Sequence, residues 1–314
     1  MRFLEGKDLE VATSELAGFL VDARTKLQRY LNPDGSLKEA FPNDIDPIDR
    51  DYKTSVDNLL VPKRTDAEKS RQQQLLETAK LVDTTLFRAY MLARPSMAGP
   101  LFRLPNFCDA EVVNEKLLET SRYNDLIDFF FGKGLHREAL DLLKRLGQEN
   151  EEKEALSQLK GPQRTVGYLQ NLPPEMIDVI LQYSEWPIKV DPSLGMEIFL
   201  ADTENAETLP RSEVLDFLHG IDRKLEIKYL RHIIYELNDS TPEFHQRLID
   251  VYLAGLKSHG LADEAEKVAW KDDFLEFLKS SKYYESWKVI RQLNRDGMYN
   301  RFGSPMLTDT RKRS

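Results

Sequence analysis

A single cysteine, Cys108, stands in 314 residues, which excludes an internal disulfide and any zinc or redox centre built on paired thiols. No apolar run reaches the roughly 18 residues that a membrane helix needs, and no basic-then-apolar leader opens the chain. Neither a membrane span nor a secretory signal is therefore expected, and a cytosolic setting follows. Positive charge is in deficit: 44 Lys and Arg stand against 53 Asp and Glu, a formal net charge of −9. Nucleic-acid binding depends on clustered Lys and Arg that neutralise phosphates, so it is not expected, and adhesion to anionic lipid is disfavoured by the same argument. The short basic run Arg311-Lys312-Arg313 reads as part of a disordered, solvated tail over 303–314. Alternating β patterns are also nearly missing; Glu197 to Leu200 reads better as a turn of helix than as a short strand.

Signatures of chemistry are absent too. Of the five histidines, His136, His219, His232, His245 and His259, no two have the spacing that aims two imidazoles at one zinc from a helix face, so they read as surface or helix-end residues. Phe131-Gly132-Lys133-Gly134 is too short between its glycines for a phosphate loop and reads as a turn. Asp44, Asp46, Asp49 and Asp51 resemble a calcium loop but lack its glycine and its closing glutamate. Cys108 has no histidine near it in sequence, and no Gly-x-Ser-x-Gly elbow occurs. No catalytic, cofactor or metal residue is assigned, and the chain is read as non-enzymatic.

What the chain does have is helical periodicity. Leu9, Ala12, Leu16, Phe19/Leu20, Ala23, Leu27 and Leu31 recur at three- and four-residue steps, predicting a helix from about Asp8 to Leu31 that Asn32-Pro33-Asp34-Gly35 ends. A second stripe, Leu75, Ala79, Val82, Leu86, Ala89/Tyr90 and Ala93, runs up to Pro95 and suits an antiparallel partner for the first. Between them, residues 32–70 are rich in proline and charge and read as a flexible or disordered loop. Thr65, followed by Asp66-Ala67-Glu68, is its candidate phosphosite.

From Asp109 onward short helices follow one another with brief breaks, starting near Pro162, Pro174, Leu209-Pro210, Asp222, Pro242, Leu261 and Tyr283. Leu126-Ile127-Asp128-Phe129 leading into Gly134 to Ala139 is echoed by Leu248-Ile249-Asp250-Val251 leading into Gly260 to Ala265. Each echo reads as an apolar helix, a glycine turn and a second helix with a small residue at the contact. One such pair cannot cover its own apolar face and buries it on the next. The expected fold is therefore all-α, an elongated α-solenoid of stacked helical hairpins, with a first helix at 1–31, the loop at 32–70, the solenoid at 71–302 and the tail at 303–314. Of the aromatics, Phe129, Phe130, Phe131, Trp186 and Trp270 read as packing between helices. Tyr283, Tyr284 and Trp287 are the interface candidates, because protein contacts favour Tyr and Trp anchors.

Several segments then occur in a telling order: Leu81-Val82-Asp83-Thr84-Thr85-Leu86, Gly134-Leu135-His136-Arg137-Glu138-Ala139-Leu140, Leu159-Lys160-Gly161-Pro162-Gln163-Arg164-Thr165-Val166, Tyr183-Ser184-Glu185-Trp186, Leu209-Pro210-Arg211 and Tyr229-Leu230-Arg231-His232-Ile233-Ile234. Over about two-thirds of its length the chain thus resembles the central helical region of the vacuolar protein sorting 39 family, large subunits of the homotypic fusion and vacuole sorting tether. The resemblance implies clathrin heavy-chain-like repeats, part of an organisation in which a β-propeller precedes a long α-solenoid. This chain has no propeller pattern and reads as a central piece. The resemblance further implies a cytoplasmic protein, peripheral on late-endosomal and lysosomal or vacuolar membranes. Its implied partners are a late-endosomal Rab GTPase, met largely through the propeller end, and a vacuolar sorting protein 11 subunit, met through the far C-terminal end. The alternatives are the matching subunit of the early-endosomal tether, an exchange factor or regulator acting directly on a small GTPase, and a hydrolase whose residues converge only in three dimensions.

Overall fold

The computed structural model describes residues 6–38, 71–149, 158–257 and 264–295. Among them every regular element is helical, and extended backbone pairs only at a bridge between Leu31 and Leu37. The expected all-α architecture of helices stacked on their chain neighbours is what is found. Two compact units divide the chain, Met1–Gln158 and Leu159–Ser314.

In the first unit, α1 (Gly6–Leu27) packs on α2 (Arg71–Ala93). Arg24 meets Asp83 at 3.1 Å while Gly35, past the end of α1, lies against Leu76, so the two run antiparallel as their stripes predict. The helix ends at Leu27, short of the expected Leu31, and the predicted turn follows. Asn32 to Gly35 makes a turn in which the Asp34 carboxylate accepts from the Ser36 amide and hydroxyl, and Gly35 supplies a φ of 84°. The apolar stripe of α1, however, is buried only in its second half, at Leu20, Ala23, Leu27 and the following Leu31; Leu9, Leu16 and Phe19 are exposed. For Leu9 the offset explains this: with Arg24 opposite Asp83, the last residue of α2 comes opposite roughly residue 14 of α1, so Leu9 lies past its end, whereas Leu16 and Phe19 run alongside α2 on the outward side of α1.

After a 3₁₀ turn at Pro95–Met97 come α3 (Ala98–Phe102), α4 (Ala110–Glu119), α5 (Tyr123–Gly132) and α6 (His136–Gly147). Their core is aromatic: Phe87, Phe102 and Phe129 form a chain with ring centroids 5.5 and 5.0 Å apart. Phe129 and Phe130 are buried as expected, whereas Phe131 is exposed and stands edge-on to His136. Asp83 and Thr84 tie the connection before α4 onto α2, the first accepting from the Phe107 amide at 2.7 Å and the second from the Asp109 amide at 2.9 Å. Asp109 in turn caps α4 by accepting from the amides of Glu111 and Val112. Gly134 takes a φ of 67° between α5 and α6, and Ala139 is fully buried, as the helix-turn-helix reading requires.

The second unit holds α7 (Gln163–Gln170), a 3₁₀ turn at Pro174–Met176, α8 (Ile177–Val190), α9 (Pro192–Leu200), α10 (Glu204–Glu207), α11 (Arg211–Ile221) and α12 (Arg223–Arg231). A five-residue π turn, His232–Glu236, extends α12, and α13 (Pro242–Lys257), α14 (Glu264–Ser280) and α15 (Ser286–Arg295) follow. Glu197 to Leu200 is helical, as preferred. The start of α9 at Pro192 goes unmarked in the sequence reading; Asp191 alone separates α8 from α9, capping the latter through the Ser193 and Leu194 amides. This corner is tight because Gly195 lies on Ile188, where an added Cβ would come within 2.6 Å of the Ile188 Cα.

The first copy of the internal echo is α5–α6; in the second, Leu248 to Val251 lie in α13, while Gly260 to Asp263 fall outside the described residues. Also outside are Thr65, the acidic run Asp44 to Asp51, His259 and the tail 303–314.

Candidate interaction surface

The cysteine and a neighbouring carboxylate of the first unit are engaged in its packing. Cys108 is buried beside Asp83, and burial pushes its thiol up to about 12, which keeps it an unreactive neutral group. Burial likewise raises the Asp83 carboxyl, against the pull of the Phe107 amide and the Arg24 guanidinium. A cleft of about 250 Å³ opens beside this pair between α1 and α2, lined among others by Leu27, Lys38, Ala79 and Phe107. Its cations are engaged: Arg24 donates to the Pro105 carbonyl and Lys38 to the Gln28 carbonyl.

The histidines lie apart, and among the described residues no three His, Cys, Asp or Glu side chains form a cation-holding group. His136 and His219 do lie at helix ends. His232 and His245 correct the surface reading, for both are buried at 8% and 3% exposure. The Nε2–H of His245 donates to the Asp239 carbonyl at 2.9 Å, so its Nδ1 accepts the Ser281 hydroxyl at 2.7 Å. Burial lowers its pKa, so the ring is held neutral. The partner of His219 is Glu226, a wholly buried carboxylate that also accepts from Arg247 Nε at 2.7 Å. Arg247 reaches on to Asp216, so this network pins α11, α12 and α13 to one another.

The surface with the character of a binding site is built at the π turn and the α14–α15 corner. Beneath it lies Phe277, fully buried, in ring contact with Tyr235 at 6.4 Å, His245 at 5.9 Å and Tyr284 at 6.5 Å. His245 in turn touches Tyr283 at 5.2 Å. Of the three residues singled out by sequence, Tyr283 and Trp287 are the exposed ones, at 53% and 58%. Tyr284 is buried beneath them, its hydroxyl donating to the Leu278 carbonyl at 2.9 Å. On α15 the residues Val289 and Leu293 are buried and set Trp287, Lys288, Arg291 and Arg295 on the open side.

The π turn adds what sequence did not signal. Helix widening of this kind recurs at functional sites. Here Ile233 and Ile234 go into the core and Tyr235 is left 43% exposed, with Arg231 over its ring at 5.8 Å. Between this turn and α14 runs an open groove of about 500 Å³, lined by Lys228, Arg231, Tyr235, Glu276 and Ser280. Tyr229 to Ile234 was marked only by resemblance, and nothing in its apolar spacing announces a π turn.

Comparison with known proteins is consistent along the chain. The family described as vacuolar sorting protein 39 domain 1 matches residues 82–188. The chain is 32% identical to the Vam6/Vps39-like protein of Homo sapiens over 312 residues, which takes in 94% of this chain and 32% of that protein. It is 31% identical to vacuolar morphogenesis protein 6 of Schizosaccharomyces pombe, over 89% of this chain and 30% of that one. For vacuolar morphogenesis protein 6 of Saccharomyces cerevisiae the identity is 28%, over 88% and 26%. The chain thus spans about a third of the length of these relatives. No solved structure gives a significant match.

Proposed function

Because this chain belongs to the vacuolar sorting protein 39 family, we propose that it is a scaffold segment of a multisubunit membrane-tethering complex of the homotypic fusion and vacuole sorting type. In this role it acts in traffic from late endosome to lysosome or vacuole, from the cytoplasmic side of those membranes, by holding proteins and not by catalysis. The observation that carries the reading is the stacking of helices on their chain neighbours, whose interiors use up the polar groups and leave aromatic and charged side chains facing outward. Names such as vacuolar morphogenesis protein 6 support the setting. No helix among the described residues is long and apolar enough to cross a membrane, so membrane contact in this reading runs through partners.

The partners proposed are the other tether subunits, including one of the vacuolar sorting protein 11 family, and a late-endosomal Rab GTPase in the longer protein. Residues 71–302 are the scaffold proper in this proposal, with 1–31 as its first helix, 32–70 as a connecting segment open to phosphorylation at Thr65, and 303–314 as a tail. The test is to immobilise the purified chain and offer it purified tether subunits and the GTPase. Retention of one or more subunits supports the reading. Failure to retain any, together with faster nucleotide release from the GTPase, would overturn it in favour of an exchange factor.

A further inference from the structure

The exposed rings Tyr235 and Tyr283, joined through Phe277 and His245, and the exposed Trp287 in the first turn of α15 lie among residues with an excess of positive charge. Arg231 is offset by Asp273 at 3.3 Å, and Lys288 by Glu285 at 2.8 Å. Lys228, Lys282, Arg291 and Arg295 are exposed and have no acidic partner among the described residues. Against them, two carboxylates of the groove have no Lys or Arg partner among the described residues, Glu276 and Glu236, the latter hydrogen-bonded to His232 Nδ1 at 2.8 Å. Such a surplus departs from a chain whose net charge is −9. Unpaired cations beside exposed rings over a rigid aromatic base are the elements of a peptide clamp, in which the rings hold an apolar side chain and the cations hold flanking carboxylates.

We propose that this strip, from Lys228 and Tyr235 across the α14–α15 corner to Trp287 and Arg291, docks an acidic segment of a partner protein that carries at least one large apolar side chain. Charge complementarity selects this occupant. An anionic membrane or a nucleic acid would press a dense sheet of phosphate onto Glu236, Asp273, Glu276 and Glu285 as well as onto the cations, whereas a peptide can thread between them. The inference deepens the scaffold reading and rests on it only in taking protein as the ligand.

The test uses the full chain and a dye-labelled acidic peptide of about a dozen residues with a central Leu-Phe pair, read by fluorescence anisotropy. Trp287→Ala, and separately Lys282→Glu with Arg291→Glu, should each weaken binding by about tenfold or more, and binding should fall steeply toward roughly 0.5 M salt. Lys144→Glu with Arg145→Glu, on the exposed face of α6, should leave it unchanged. Circular dichroism confirms that each variant is folded. Absence of binding by the native chain, equal binding by all variants, or capture by phosphatidylserine vesicles in place of the peptide overturns the proposal. Peptide binding without retention of tether subunits would sink the scaffold reading and leave the docking strip standing; the reverse result would do the opposite.

Discussion

Glu226 has no solvent exposure, and its two oxygens are taken by Arg247 Nε and His219 Nδ1, both at 2.7 Å. Arg247 keeps 28% of its side chain exposed and has a second acidic neighbour in Asp216, itself 74% exposed. Removing one member of a buried pair costs about 3–5 kcal/mol, because the other is left buried and unmatched. Arg247→Met should cost about 3 kcal/mol, the low end, since water reaches part of the site and the outer pair with Asp216 adds about 0–1 kcal/mol. Glu226→Gln should cost about 2 kcal/mol, for the amide still accepts one bond and Arg247 can turn to Asp216. The double variant removes the mismatch that each single change creates, so it should fall short of the sum by about 1.5 kcal/mol or more. Urea unfolding followed by tryptophan fluorescence reads the right region, since Trp186, Trp270 and Trp287 all lie in Leu159–Ser314. Costs that add to within about 0.5 kcal/mol would show that the two residues do not act through each other, and the account of how α11, α12 and α13 are pinned would fail.

Gly195→Ala places a Cβ within 2.6 Å of Ile188 backbone and should destabilise the second unit by about 1–3 kcal/mol, seen as a lower urea midpoint; an unchanged midpoint would mean that α8 and α9 are not so closely seated. Cys108, buried and with its thiol pushed up to about 12, should resist a thiol reagent at neutral pH in the folded chain and react fully in denaturant. His245 has a pKa below the usual imidazole value, so the unfolded chain binds its proton more readily. Stability at this site is therefore complete above about pH 6.5 and falls as pH drops toward the depressed value. The carboxylate of the neighbouring Asp239 does not compensate, being paired with Arg211. A pH series of unfolding midpoints should fall less steeply for His245→Gln than for the native chain.

Much of the helical layout is legible in the residues. Proline and aspartate mark helix starts because their backbone chemistry is local: Asp222 caps α12 and Pro242 opens α13 where the sequence places them. Resemblance segments also find their reasons, with Asp83 and Thr84 buried to hold the chain before α4. Less legible is which part of a stripe a neighbouring helix covers. Leu9 and Leu16 keep the same spacing as Leu20 and Leu27, yet only the latter two are buried. Tyr283 and Tyr284 are indistinguishable as neighbours in sequence, and the packing of Phe277 sends one inward and leaves the other out.

From the sequence alone come the all-α class, the absence of paired thiols, and the family, since these rest on composition, periodicity and ordered local segments. Tertiary structure alone decided that His232 and His245 are buried, that Glu226 is matched by a residue 21 positions away, and that a π turn brings Tyr235 to the same surface as Tyr283. The physical reason is reach. Hydrophobic period and capping act over a few residues, whereas burial and charge pairing are set by whichever helix arrives opposite, and its position is a property of the packed chain.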